Sequence, residues 1–153
     1  METKQSINEL VERLMQGSTY EMLEAAESIG RQGESAVITL APMLRSGERE
    51  VRWRAAIALE RIGSPAVGIL VAAARDENFL VRVPAIWALE HIGDSRAVVP
   101  LVENLNGRNE CCRWMAAAAL SKIGGPAEKA AVEKAFSNDP AGREIVDEMT
   151  GRF

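Results

Sequence analysis

The chain has 153 residues, of which 47% are hydrophobic, 26% charged and 5% aromatic, with a net charge of −4 and a pI near 5.2. That is the composition of an ordinary globular domain, and its acidity argues against a dedicated binder of phosphate backbones. One histidine and two cysteines leave little for metal sites or histidine-based catalysis, and 23 alanines with 6 prolines point to closely packed helices.

Taken in order, the polar start Met1–Ser6 lacks the basic and apolar segments of a signal peptide. Ile7, Leu10, Val11 and Leu14 then form one helical stripe, predicting a helix over Ser6–Gln16. Ser18–Gly30 is the next helix, a loose copy of a pattern that becomes clear downstream. Ser35–Leu44 returns after it, behind a longer loop than those that follow.

The clear copies are Val51–Gly63, Val81–Gly93 and Cys112–Gly124. They share the form Val-Arg-x-x-Ala-x-x-Ala-Leu-x-x-Ile-Gly, with Cys112 in place of valine in the last. The closing pair recurs at Ile29-Gly30, Ile62-Gly63, Ile92-Gly93 and Ile123-Gly124, at spacings of 33, 30 and 31 residues. A glycine there suits a left-handed helix end. A second helix follows each: Pro65–Ala74, Ser95–Leu105 and one opened by Pro126. The same ruler places a degraded last copy at Gly142, Arg143, Val146 and Met149, opened by Asp139-Pro140. Five hairpins, about residues 5–30, 34–63, 65–93, 95–124 and 126–150, make ten helices in one repeat domain.

This pattern resembles the HEAT-like repeat of the phycobilisome-lyase type. The resemblance implies an all-α fold, a right-handed α-α superhelix or solenoid, with the Val-Arg helices on its concave side. Many family members carry glycine three before the closing glycine, where this register has Glu27, Glu60, Glu90 and Ser121. Pro84 lies inside a Val-Arg helix, where it would kink the helix or delay its start. The family includes protein-binding scaffolds, lyase subunits, DNA glycosylases and a di-iron hydroxylase, among which fold alone does not choose.

At about 100° per residue, the positions ten, six and three before the closing glycine face away from the buried stripe. They are Tyr20, Glu24 and Glu27; Trp53, Ile57 and Glu60; Val83, Trp87 and Glu90; and Trp114, Ala118 and Ser121. All three tryptophans and the only tyrosine thus fall on one face, extended by Phe79, Leu80 and Met115 near the helix starts and flanks. An exposed aromatic patch marks an interaction site. Packing of these rings against each other is the competing reading.

Arg52, Arg82, Arg113 and Arg143 form a ladder on the shoulder of the apolar stripe. Four residues before them stand Glu48, Asn78, Asn109 and Asp139, which suit helix caps. The ladder reads as structural, each guanidinium forking between carbonyls or a carboxylate of a neighbouring turn. The single His91 makes no metal site and excludes di-iron chemistry. Cys111-Cys112 reads as two free thiols in a reducing compartment, hence a cytoplasmic protein. No stretch spans a membrane, no glycine motif binds nucleotide, and no cofactor is expected.

The function expected is a non-enzymatic scaffold that binds a protein, a peptide or a second copy of itself through the aromatic face. One alternative is an accessory or chaperone-like subunit of a lyase-type enzyme. The other is nucleic-acid binding, for which Arg49, Arg54 and Arg61 are the candidate cations.

Overall fold

The computed structural model describes residues 5–151. Every regular element among them is helical. The chain divides into two compact units, residues 1–69 and 70–153.

In the first unit, α1 (Ile7–Gln16) starts at Ser6, whose hydroxyl accepts the Glu9 N–H while the Glu9 carboxylate accepts the Ser6 N–H. Ser18 and Glu21 make the same reciprocal cap at the start of α2 (Thr19–Gln32). Such boxes satisfy two of the four free donors at a helix start. The return segment is broken: a 3₁₀ turn Gly33–Ala36, the single turn α3 (Val37–Leu40), and a second 3₁₀ turn Ala41–Arg45 that contains Pro42. α4 (Arg49–Ile62) and a 3₁₀ turn Ser64–Ala66 follow. α2 packs against α1 on one side and α4 on the other. Leu10, Leu14, Ala25, Ile29, Leu40, Leu44, Ala55 and Leu59 are buried between them. Ile7, expected in the α1 stripe, is half-buried.

α5 (Val67–Ala73) carries the chain onward. The second unit then holds α6 (Phe79–Ile92), a 3₁₀ turn Ser95–Ala97, α7 (Val98–Leu105), α8 (Glu110–Ile123), α9 (Pro126–Ala135) and α10 (Pro140–Thr150). α8 is its hub, packed on α6, α7, α9 and α10. Ala85, Ala88, Ala116 and Ala119 are fully buried, which lets these helices approach. α6 neither starts late nor breaks at Pro84; it runs unbroken from Phe79, with the proline ring buried. In the last copy Val146 is buried but Met149 is exposed.

One expectation needs correction. The closing glycine of the first copy is Gly33, not Gly30. α2 runs through Gly30, and the Gly33 N–H closes the helix on the Ile29 carbonyl. Gly63, Gly93 and Gly124 close their helices in the same way on Leu59, Leu89 and Leu120. Ser18 precedes Gly33 by fifteen residues, as Glu48, Asn78 and Asn109 precede their glycines. The spacings become 30, 30 and 31. The residues that lengthened the expected loop thus lie within α2, and Gly33 precedes Ser35 by the same interval as Gly93 precedes Ser95. Gly30 now stands three before the closing glycine, the position where many HEAT-like repeats carry one. Gly33, Gly63 and Gly93 have positive φ, but only Gly93, at ψ 20°, is a left-handed helix end; Gly33 and Gly63 turn out at ψ −136° and −133°, and Gly124 is extended at φ −76°, so the expected cap holds for one copy of the four.

Candidate binding face

With the register moved, the residue ten before each closing glycine is Leu23, Trp53, Val83 and Trp114. Six before stand Glu27, Ile57, Trp87 and Ala118. The four apolar residues at the first position all retain solvent exposure.

In the first unit, Leu23 is 42% exposed on α2 and Trp53 is half-buried on the adjacent α4, one turn before the half-buried Ile57. Leu23 escaped the sequence reading because that reading counted back from Gly30. Tyr20 does not share the position of Trp53. It sits one turn nearer the start of α2 and is 74% exposed. An open hollow of about 620 Å³ beside Trp53 is lined by Arg49, Glu50 and Trp53.

Ion pairs surround this patch. Glu24 accepts from Arg13 at 2.9 Å. Arg61 bridges Glu27 at 2.9 Å and Glu60 at 3.0 Å. Arg54 donates to Glu50 at 2.6 Å and, from Nη1, to the carbonyls of Leu14 and Gly17 at 2.8 Å each. Those carbonyls belong to the end of α1 and the residue that caps it, so Arg54 works as a helix clasp. Arg54 and Arg61, two of the three cations considered for nucleic acid, are thus tied into ion pairs of the first unit.

In the second unit, Val83 and Trp87 on α6 and Trp114 and Met115 on α8 are half-buried, and Phe79 and Leu80 are exposed at the start of α6. Ala118, expected outward, is buried. The Trp87 ring lies 4.4 Å from that of His91, whose Nδ1 is 2.8 Å from the Trp87 carbonyl. Glu90, Ser121, Lys122 and Thr150 border a shallow cleft of about 360 Å³ floored by Ala118 and Met149.

The arginine ladder bonds to backbone and carboxylates. Arg52 is buried and donates to the Ser46 carbonyl at 2.9 Å. Arg82 donates to the carbonyls of Asp76 and Glu77 at 2.8 and 3.0 Å. Arg113 reaches the carbonyls of Leu105 and Ala135 and stands 5.0 Å over the Phe136 ring. Arg143 pairs with Glu133 and Asp147. Of the four residues read as caps, Asn78, Asn109 and Asp139 accept helix N–H groups; Glu48 occupies the N-cap position without a side-chain bond.

A second crevice, about 440 Å³, is lined by Arg75, Arg82, Glu103, Asn104, Asn109 and Cys112 among others. Its polar walls bond to each other: Arg75 to Glu103 bidentately at 2.9 and 3.0 Å, and buried Asn104 to the carbonyls of Ala74 and Pro100. Burial pushes the Cys112 thiol up, against the pull of the adjacent Arg82 guanidinium. Among the described residues, no cluster of three or more His, Cys, Asp or Glu side chains is placed to hold a metal ion. No helix among them is long and apolar enough to cross a membrane.

The family model for HEAT repeats matches residues 7–82, 39–110 and 67–146. The chain belongs to the HEAT repeat family. No curated protein matches it in sequence. Its HEAT repeats are similar in fold to the complex of CpcE and CpcF of phycocyanin lyase from a Nostoc species. That match has 18% identity and a TM-score of 0.66, and covers 94% of this chain and 96% of that one. They are also similar to a designed armadillo repeat protein in complex with a peptide (KR)4, at 21% identity and a TM-score of 0.52, over 94% of this chain and 81% of that one. Both are helical-repeat solenoids, and the all-α fold class is theirs.

Proposed function

We propose that this chain is a non-catalytic scaffold that binds protein or peptide through the outward positions of its even-numbered helices. The observation that carries the reading is the position ten before each closing glycine, where Leu23, Trp53, Val83 and Trp114 all keep part of a large apolar side chain in water. Tyr20 and Ile57 extend it in the first unit, and Phe79, Leu80, Trp87 and Met115 in the second. Such side chains are the usual anchors of an interface. One structural neighbour is a complex of two proteins and the other a repeat protein holding a peptide, which supports partners of this kind. The likeness to a lyase subunit is one of fold, and the serine and cysteine at the hollows are not activated: the Ser121 hydroxyl donates to the Ala117 carbonyl, and burial pushes the Cys112 thiol up. The arginine ladder, engaged with carbonyls and carboxylates, serves as a joint within the repeats.

The test compares wild type with Trp53→Ala/Trp114→Ala in affinity capture from native lysate, with light scattering on both. The expected result is a loss of captured proteins of at least about tenfold at an unchanged fold, the effect of removing two anchors. Equal capture and an equal oligomeric state for both would overturn the reading. A salt titration against mixed nucleic acid tests the alternative, which requires tight binding at low salt.

A further inference from the structure

We propose that the α2–α4 face of the first unit docks a protein segment with large apolar side chains and no net charge, and not a basic one. This rests on the scaffold reading and narrows it to a partner chemistry. The face is apolar at its centre: Leu23 and Tyr20 on α2 are exposed, and Trp53 and Ile57 on α4 are half-buried. The hollow beside Trp53, about 620 Å³, is large enough to seat an aliphatic or aromatic side chain.

Charge decides between partners. Unpaired glutamates at its rim would invite a cationic segment. In the structure those glutamates are already matched. Glu24 pairs with Arg13, Glu27 and Glu60 with Arg61, and Glu50 with Arg54. Arg49, at the hollow, brings the guanidinium groups to four against four carboxylates. A lysine or arginine from a partner would have to displace a guanidinium held at 2.6–3.0 Å, exchanging one ion pair for another with little gain. Apolar anchors meet no such competition, and their burial removes Leu23 and Tyr20 from water.

The experiment selects a phage-displayed random dodecapeptide library on the full chain, then titrates the enriched peptides by fluorescence anisotropy. Expected peptides carry at least two large apolar residues and no run of Lys or Arg. Their affinity changes by less than about twofold between about 50 mM and about 500 mM salt, since no ion pair is formed. Leu23→Ser and Tyr20→Ser each weaken them at least about tenfold, as loss of an anchor does; both side chains are exposed, so the fold is kept, as an unchanged melting temperature verifies. Enrichment of Lys-Arg peptides, affinity indifferent to Leu23, no enrichment at all, or a concentration-dependent dimer that Leu23→Ser dissolves would each overturn the proposal. If peptides bind and only Trp53→Ala/Trp114→Ala abolishes binding, the scaffold reading stands while this narrower one fails.

Discussion

Gly30 in α2 packs on the backbone of Arg61 in α4: a Cβ built on Gly30 would stand 2.8 Å from the Arg61 carbonyl oxygen. No flexible side-chain tip is available there to move aside. Glycine is present because two helices touch, not because a turn is needed.

Gly30→Ala therefore destabilises, although alanine favours helix by about 1 kcal/mol over glycine. Overpacking against fixed backbone costs about 1–3 kcal/mol, and the net loss appears in urea unfolding. Gly63→Ala meets nothing within 4 Å but must adopt φ +82°. Its loss, about 1 kcal/mol, is conformational and not steric. Gly63→Asn does not rescue it, because at ψ −133° the backbone lies outside the left-handed helical well that asparagine tolerates; Gly30→Asn is worse than Gly30→Ala.

Arg54→Ala removes the clasp on the Leu14 and Gly17 carbonyls, with an expected loss of about 1.5–3 kcal/mol. Arg54→Lys rescues little, since one ammonium cannot reproduce the fork that holds Glu50 and two carbonyls together. Arg75→Ala breaks a bidentate but exposed pair with Glu103 and leaves the transition unchanged. Arg82→Ala frees the Asp76 and Glu77 carbonyls and lowers the melting temperature, by about 1–2 kcal/mol in stability. Thermal and urea unfolding of the four variants check the order.

The Arg96 guanidinium and then its backbone N–H hold the Asp94 carboxyl at about 2, below its ordinary 3.8. The folded chain thus binds fewer protons here than the unfolded one. The stabilisation is present above 3.8 and is lost as the pH falls through about 2. Asp94→Asn removes that contribution. The gap in melting temperature between wild type and variant, seen near pH 5, should narrow as the pH falls through about 2 and close only below it, once the Asp94 carboxyl is protonated in the folded chain too.

Cys111 is exposed and Cys112 buried. A thiol reagent such as DTNB should modify one cysteine quickly in the native protein. The second should react at least about tenfold more slowly until denaturant is added, because its thiolate is both scarce and covered. Cys111→Ser removes the fast phase alone.

The middle of the chain was legible because alanine, leucine and glycine recur there at fixed offsets, and helix spacing leaves those residues one buried stripe. The first copy was misread by three residues because Ile29-Gly30 imitates the closing pair. Its true register was written at the other end of the helix, in the Ser18–Glu21 box and the glycine fifteen positions later. Leu23 could be found only from that end. The clasp made by Arg54 joins residues 40 and 37 positions apart in sequence, and no local pattern encodes such a bond. Ala118 was placed outward by angle, yet the close approach of helices in the second unit buries a side chain so small.

Gly33 and Gly63 leave their helices with nearly the same backbone, φ 76° and ψ −136° against φ 82° and ψ −133°. Gly93 exits at ψ 20° and Gly124 has negative φ. A hairpin cut from residues 34–63 therefore begins and ends at interchangeable joints. Tandem duplication of that stretch would lengthen the array without bending the chain at the new junction. The same insertion after Gly124 would aim the next helix elsewhere. Growth by gene duplication, and its engineered equivalent, is thereby directed to the first half of the chain.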